Sequence, residues 1–113
     1  PSVGNFAQGM LVSVPLDLSA IENPPQLEAL DAAFQKHYGS EGSAVRFRFT
    51  PDADEIYETG RLPVDPAAGD DHMDIWLFAN ETHQHALFVA RLDNLGKGAA
   101  GAAVQNLKLM LGS

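Results

Sequence analysis

The sequence contains no cysteine and few positive charges. The absence of cysteine from all 113 residues excludes disulfides, thiolate metal sites and a cysteine nucleophile on this chain. Seven Lys and Arg residues stand against fifteen Asp and Glu residues, which gives a formal net charge of -8. Because nucleic acids and anionic membranes bind clustered basic side chains, we expect neither as a partner.

Long apolar runs are also missing. No run approaches the roughly 18 apolar residues that a membrane span requires, so we expect a cytoplasmic protein. A hydrophobic content of 45% is nevertheless typical of a globular chain with a modest core. Pro1 leads almost directly into a predicted strand, and we therefore expect the chain to be part of a longer protein with one domain, or a piece of one, in this segment.

The first third of the chain changes from a strand pattern to a helix pattern. "MLVSVPLDL" alternates apolar and polar residues, and Pro15 favours an edge position or a bulge. "IENPPQLEALDAAFQKHYG" has the period of a helix, with Asn23 as the predicted N-cap, Pro24 at the first helical position and Gly39 at the end. The strand places Met10, Val12, Val14, Leu16 and Leu18 on one face, and the helix places Leu27, Leu30, Phe34 and Tyr38 on one stripe.

The middle of the chain predicts three more strands. "AVRFRFT" alternates, with Val45, Phe47 and Phe49 inward and Arg46 and Arg48 outward. Residues 51–71 are acidic and contain prolines without periodicity, which predicts a long surface loop. "HMDIWLFANETHQHALFVARL" predicts a central hairpin with its turn near residues 80–84, in which Trp76 and Phe78 lie in the sheet core or in a subunit contact.

The last segment, "NLGKGAAGAAVQNLKLMLG", predicts a helix from about Lys97 to Leu111. It contains a literal G-x-G-x-x-G, but only twelve residues follow Gly101, so we do not expect the second strand that a dinucleotide-binding fingerprint needs. Each glycine inside a helix costs about 1 kcal/mol relative to alanine. Two explanations stay open, either tight packing of the helix start or a flat platform for a bound molecule.

The predicted order is β-α-β-β-β-α, which indicates an α+β fold with a mixed, largely antiparallel sheet and flanking helices. "GNFAQGMLVSVPL" at residues 4–16 and "ARLDNLGKGAAGAAVQNLKLMLG" at residues 90–112 closely resemble the C-terminal part of the N-acetyl-gamma-glutamyl-phosphate reductases. Aspartate-semialdehyde dehydrogenases carry a similar "DNL…GAA" ending, and the "GNFAQGM" block favours the former family.

The resemblance implies a two-domain NADP-dependent oxidoreductase of arginine biosynthesis that reduces N-acetyl-glutamyl phosphate to the semialdehyde. Residues 1–95 would belong to its catalytic and dimerisation domain, of the glyceraldehyde-3-phosphate-dehydrogenase type. Residues 96–113 would form a C-terminal helix beside the NADP-binding domain. In the family a cysteine attacks the acyl phosphate and a histidine handles protons, and the resemblance places both before Pro1. It therefore implies an inactive fragment, whose partners are the N-terminal Rossmann portion, further copies of itself and a small-molecule substrate.

The resemblance also implies cofactor contacts by Asn94, Lys97 and Gly98. Asn94 matches the family asparagine that approaches the nicotinamide, although Asn is also a good N-cap for the last helix. Lys97 stands at a helix start, where a cation opposes the helix dipole, and this favours either a bound phosphate or a solvated side chain. Gly98 belongs to the bare helix start that would face the cofactor.

We expect no catalytic residue and no metal site on this chain. His83 and His85 lie beside the predicted turn, and Asp70, Asp71 and His72 form a second polar cluster. A metal needs three or four converging ligands, so exposed turn residues are the better interpretation, and His37 would support the end of the first helix. A freestanding α+β binding or regulatory module is the competing function, and an upstream Rossmann domain with a cysteine motif would exclude it.

Overall fold

The computed structural model describes residues 4–40, 43–48, 60–64 and 69–112. Within these ranges the strands are β1 (Met10–Asp17), β2 (Val45–Arg48), β3 (Met73–Asn80) and β4 (His85–Leu92). The α-helices are α1 (Leu27–Tyr38) and α2 (Gly101–Met110). This order, β-α-β-β-β-α, and the α+β class confirm the sequence prediction.

The four strands form one mixed sheet in the order β1-β4-β3-β2. β4 pairs antiparallel with both β1 and β3, whereas β2 pairs parallel with β3. The predicted hairpin therefore occupies the centre of the sheet. Pro15 lies in the edge strand β1, where its missing N–H group costs no interior ladder bond, and the edge prediction is confirmed.

Helix α1 covers one face of this sheet. Its predicted apolar stripe is confirmed, because Phe34 stacks on Phe88 of β4 at 4.6 Å between ring centroids and lies 5.3 Å from Phe47 of β2. Leu77 is completely buried beneath the helix. The core on this face consists of Leu18, Leu77 and Ala86, with Leu16, Leu27, Leu30, Phe47 and Phe88 packed against it.

The predicted start of α1 is wrong. The helix begins at Leu27, three residues later than predicted, and the N-cap Gln26 makes no side-chain capping bond. Residues that precede a proline avoid the helical region, and Pro24 and Pro25 extend this restriction over two positions. Asn23 instead adopts a left-handed conformation, with φ at +56°, which Asn tolerates well. The predicted end is confirmed, since Gly39 caps the helix through its N–H bond to the Gln35 carbonyl.

The opposite face of the sheet carries a buried ionic network. Asp74 of β3 is only 3% exposed. Its carboxylate accepts from Arg46 Nε at 2.8 Å and from Arg91 Nη2 at 3.0 Å. Arg46 also pairs with Asp70, and Arg91 lies over the Trp76 ring at 4.8 Å. Arg46 does point away from the α1 face as predicted, but it binds two carboxylates instead of standing in solvent.

This network predicts an acid-sensitive fold. Burial raises the pKa of Asp70, but hydrogen bonds from His72 and Arg46 outweigh it and lower the pKa from 3.8 to about 2. A carboxyl whose pKa is lowered by folding stabilises the protein above its unfolded pKa and loses that contribution as pH falls. We expect Asp70→Asn to cost about 1 kcal/mol at pH 6 and almost nothing at pH 2, after allowance for its partial exposure. Urea unfolding across this pH range measures the difference, and an equal cost at both ends contradicts the ionic explanation.

The final helix differs from its prediction. A π-helical turn spans Gly96–Ala100, and regular α-helix begins only at Gly101. Ala99 breaks the helical conformation, with φ at -146° and ψ at -109°. The α2 side chains point mainly into solvent, and its large exposed apolar residues are Val104, Leu107, Leu109 and Met110. No helix in the described ranges is long and apolar enough to cross a membrane.

Candidate functional site

The candidate site is the segment from Asp93 to Gly101, which leaves β4 and enters α2. Its turn is closed by a bond from the Gly98 N–H to the Asp93 carbonyl at 2.9 Å. The Gly101 N–H in turn bonds the Gly96 carbonyl. A Cβ atom at position 101 would lie 2.7 Å from both the carbonyl carbon and the oxygen of Gly96. The close approach at Gly101 is therefore made within the same segment, by the backbone of the preceding turn.

Asn94 binds the start of the chain and does not cap the helix. Its side-chain Oδ1 accepts from the Gly9 N–H at 2.8 Å, between residues 85 positions apart in the sequence. Because a backbone N–H can only donate, this bond fixes the carbonyl end of the amide toward Gly9 and leaves the Nδ2 end facing away. Asn94 is exposed, so its Nδ2 donors are available to a bound molecule.

Asp93 makes the capping bonds that were considered for Asn94. Its Oδ1 accepts from Leu95 N at 2.9 Å and from Gly96 N at 3.2 Å. Its Oδ2 accepts from Gly69 N at 2.8 Å and from Gln8 Nε2 at 3.0 Å. These hydrogen bonds lower the pKa of Asp93, with the bond from Gly69 as the largest cause. The N-cap interpretation of Asn94 is wrong because the preceding carboxylate occupies that role.

The backbone at position 9, which donates to Asn94, can be formed only by glycine. Its φ is +117°, a region that L side chains rarely adopt. A Cβ atom there would also lie 2.6 Å from Val64 Cγ1 and 3.1 Å from the Val64 carbonyl oxygen. The two blocks that carry the family resemblance therefore meet in the fold, since Gln8 and Gly9 bind Asp93 and Asn94.

The structure brings two of the three predicted cofactor residues together. A Cβ atom on Gly98 would lie 3.9 Å from the Cβ of Asn94 and 3.4 Å from Leu92 Cδ1. Gly98 is exposed, and so are Ala99 and Ala100 beside it. These residues form a surface with almost no side-chain bulk next to the Asn94 amide.

Lys97 is turned in a different direction. Its ammonium group donates to Gln105 Oε1 on α2. Gln105 then donates from Nε2 to the Asp71 carbonyl at 3.0 Å. Lys97 therefore holds the start of α2 against residue 71 and is only half-buried.

The histidine and aspartate clusters do not assemble into a larger site. His83 and His85 are exposed at the hairpin turn, with ring centroids 6.4 Å apart. The interpretation of Asp70 as a solvent-exposed turn residue is wrong, because its carboxylate binds His72 Nδ1 and Arg46. In the ranges that the structure describes, no three His, Asp or Glu residues converge as metal ligands.

Comparison with known proteins bears on the origin of this segment. No family model matches the chain. It is 44% identical over 112 residues to the N-acetyl-gamma-glutamyl-phosphate reductase of Trichormus variabilis, covering 99% of this chain and 34% of that protein. The chain is homologous to this reductase. The reductase of Brucella ovis is similarly 45% identical over 112 residues, and the match covers 35% of that protein.

The comparison confirms the resemblance that the sequence indicated. The chain spans about a third of the length of the reductases that it matches. Almost the whole chain takes part in the match, so the homology includes both the Gly9 and the Asn94 ends of the candidate site. Asp93 and Gln8 are the site residues that sequence reasoning missed. An aspartate just before a glycine-rich helix start is a capping pattern and could have identified Asp93.

Proposed function

We propose that the chain is the C-terminal part of an NADP-dependent N-acetyl-gamma-glutamyl-phosphate reductase, a cytoplasmic enzyme of arginine biosynthesis. The reaction reduces N-acetyl-glutamyl phosphate to the semialdehyde. The observation that carries this proposal is the 44% identity to a reductase over 99% of the chain. The absence of cysteine places the nucleophile of the acyl transfer outside this chain.

Residues 1–95 would form part of the catalytic and dimerisation domain, of the glyceraldehyde-3-phosphate-dehydrogenase type. Residues 96–113 would cross to the NADP-binding Rossmann domain. The exposed apolar side chains on one face of α2, such as Val104 at 52% and Leu107 at 55%, support a docked position for this helix. A contiguous apolar surface of this kind is typical of a contact with another domain or subunit.

Within this enzyme, Asn94 would contact the nicotinamide end of the cofactor. The chemistry of the donors fits, because Gly9 holds Oδ1 and leaves Nδ2 to donate to a carboxamide oxygen. The exposed backbone at Gly98 would allow a flat ring to approach closely. NADPH supplies the hydride when it is bound, and these residues would orient it without taking part in the covalent steps.

Lys97 would have an indirect role. Its bond to Gln105 keeps the turn and the start of α2 together. A phosphate of the cofactor would attract the same ammonium group, and this contact stays part of the proposal.

A hybrid reductase tests the proposal. In it, the homologous segment of the Trichormus variabilis reductase is replaced by residues 1–113 of this chain. We expect the hybrid to oxidise NADPH with N-acetyl-gamma-glutamyl phosphate at no less than a tenth of the parent rate. Residues 1–113 alone should show no turnover, because they carry no nucleophile.

The controls separate the competing functions. The parent reductase from which the homologous segment is deleted provides the baseline. A folded hybrid that turns over aspartyl phosphate faster than N-acetyl-gamma-glutamyl phosphate contradicts the proposal. It would indicate an aspartate-semialdehyde dehydrogenase instead. A folded hybrid with neither activity, or turnover by residues 1–113 alone, overturns the proposal.

We also propose that residues 1–113 form homo-oligomers. The exposed apolar residues of α2 and Val14 on the edge strand β1, 48% exposed, are surfaces that association would bury. Light scattering at increasing concentration should show a dimer or a larger species. A strictly monomeric protein at millimolar concentration contradicts this expectation.

A further inference from the structure

The Asp93 carboxylate has an unusual set of partners for a buried charge. It is 3% exposed, and both of its oxygens accept two bonds, from Leu95 N, Gly96 N, Gly69 N and Gln8 Nε2. All four donors are neutral N–H groups. An ionised carboxylate has about four acceptor positions and no donor, so this arrangement uses all of them and accommodates only the ionised form.

The four bonds join three separate parts of the chain. Gln8 lies 85 positions from Asp93 in the sequence, and Gly69 lies 24 positions from it. The neighbouring Asn94 adds the bond to Gly9. Adjacent residues of one block therefore bind adjacent residues of the other, which fixes both the position and the rotation of the 93–96 backbone.

Fixing this backbone also fixes the proposed cofactor contacts. Asn94 follows Asp93 directly, and Gly98 bonds to the Asp93 carbonyl at 2.9 Å. A small rotation at residue 93 would therefore turn both the Asn94 Nδ2 group and the exposed Gly98 turn away from the proposed position of the cofactor. Hydrogen-bond donors that act on a reacting group lose most of their effect when displaced by about 1 Å.

We propose that Asp93 is a positioning residue for the nicotinamide end of the cofactor, because its carboxylate fixes the Asn94 amide and the Gly98 turn against Gln8 and Gly69. This inference rests on the proposed function. Asp93 itself does not touch the cofactor and takes no part in the covalent chemistry.

The first test uses the hybrid reductase. Asp93→Ala should raise the KM for NADPH at least tenfold and lower kcat, while the KM for N-acetyl-gamma-glutamyl phosphate changes less than twofold. Asp93→Asn should lie between Asp93→Ala and the unsubstituted hybrid. Its carboxamide oxygen can still accept from Leu95 and Gly96, but its NH2 group faces the Gly69 N–H. Asp17→Asn, at an exposed aspartate whose carboxylate accepts from Ser19, is the matched control and should leave both KM values unchanged.

The second test uses residues 1–113 without cofactor. Hydrogen exchange measured by NMR should show the Gly69 and Gly96 amides protected, and Asp93→Ala should speed their exchange at least tenfold. An equal acceleration in Asp17→Asn, or no acceleration in Asp93→Ala, overturns the positioning role.

Failure of the proposed function and failure of the positioning role of Asp93 give different results. A folded, unsubstituted hybrid without NADPH-dependent turnover overturns the proposed function. An active hybrid in which Asp93→Ala loses thermal stability but keeps its KM for NADPH overturns only the positioning role, because a merely structural residue would behave in this way.

Discussion

We expect Asn94→Asp in the hybrid reductase to lower kcat/KM for NADPH by roughly 10- to 100-fold with little change in stability. Asp keeps an oxygen for the Gly9 N–H, which Asn94 Oδ1 accepts at 2.8 Å, but it has no NH2 group to donate toward the nicotinamide. Loss of one well-placed hydrogen bond of this kind costs about 1–3 kcal/mol of transition-state stabilisation. Steady-state kinetics with varied NADPH measure the effect.

Asn94→Ala provides the comparison that separates the two ends of the amide. This substitution removes the Gly9 contact as well as the donor, so we expect the same kinetic loss together with a lower Tm. A buried or half-buried donor left without its partner costs about 1–3 kcal/mol. Unchanged kinetics in Asn94→Asp would contradict the cofactor contact, and Asn94 would then only join the two chain segments.

The order of strands and helices could be predicted because each follows a local pattern. Alternation in "MLVSVPLDL" and the stripe from Leu27 to Tyr38 depend on spacing alone. The hairpin was also local, with a turn at residues 81–84 between β3 and β4. Its central place followed from apolar residues on both faces, as the buried Trp76 and Leu77 on opposite faces now show.

The parallel pairing of β2 with β3 and the polar contacts depend on distant residues. Asp74 precedes an apolar run in a strand with apolar residues on both faces, yet two arginines from β2 and β4 surround it. Asp93 likewise finds partners 24 and 85 positions away. No short-range pattern specifies such pairs, because the sheet register brings them together only after the chain folds.

The resemblance was specific where local reasoning was not. It selected Asn94 and Gly98, which the fold places next to each other, and it selected the "GNFAQGM" block, which supplies Gln8 and Gly9 to the same site. It also selected Lys97, whose side chain faces Gln105 instead. A family match therefore predicted which blocks matter, and the structure supplied the physical reason that two distant blocks occur together.

The glycine at position 101 should tolerate no side chain. Gly101→Ala would place a Cβ atom 2.7 Å from the backbone of Gly96, so the turn must shift at a cost of about 1–3 kcal/mol, and Gly101→Leu should cost more. Gly98→Ala is the matched control, because its Cβ would make only ordinary contacts, the nearest with Leu92 Cδ1 at 3.4 Å, and a replaced glycine stabilises by up to about 1 kcal/mol. Hydrogen exchange of the α2 amides in residues 1–113 should therefore be faster in Gly101→Ala and unchanged or slower in Gly98→Ala. Equal α2 exchange rates in the two variants would contradict the explanation that the close approach to Gly96 requires glycine at position 101.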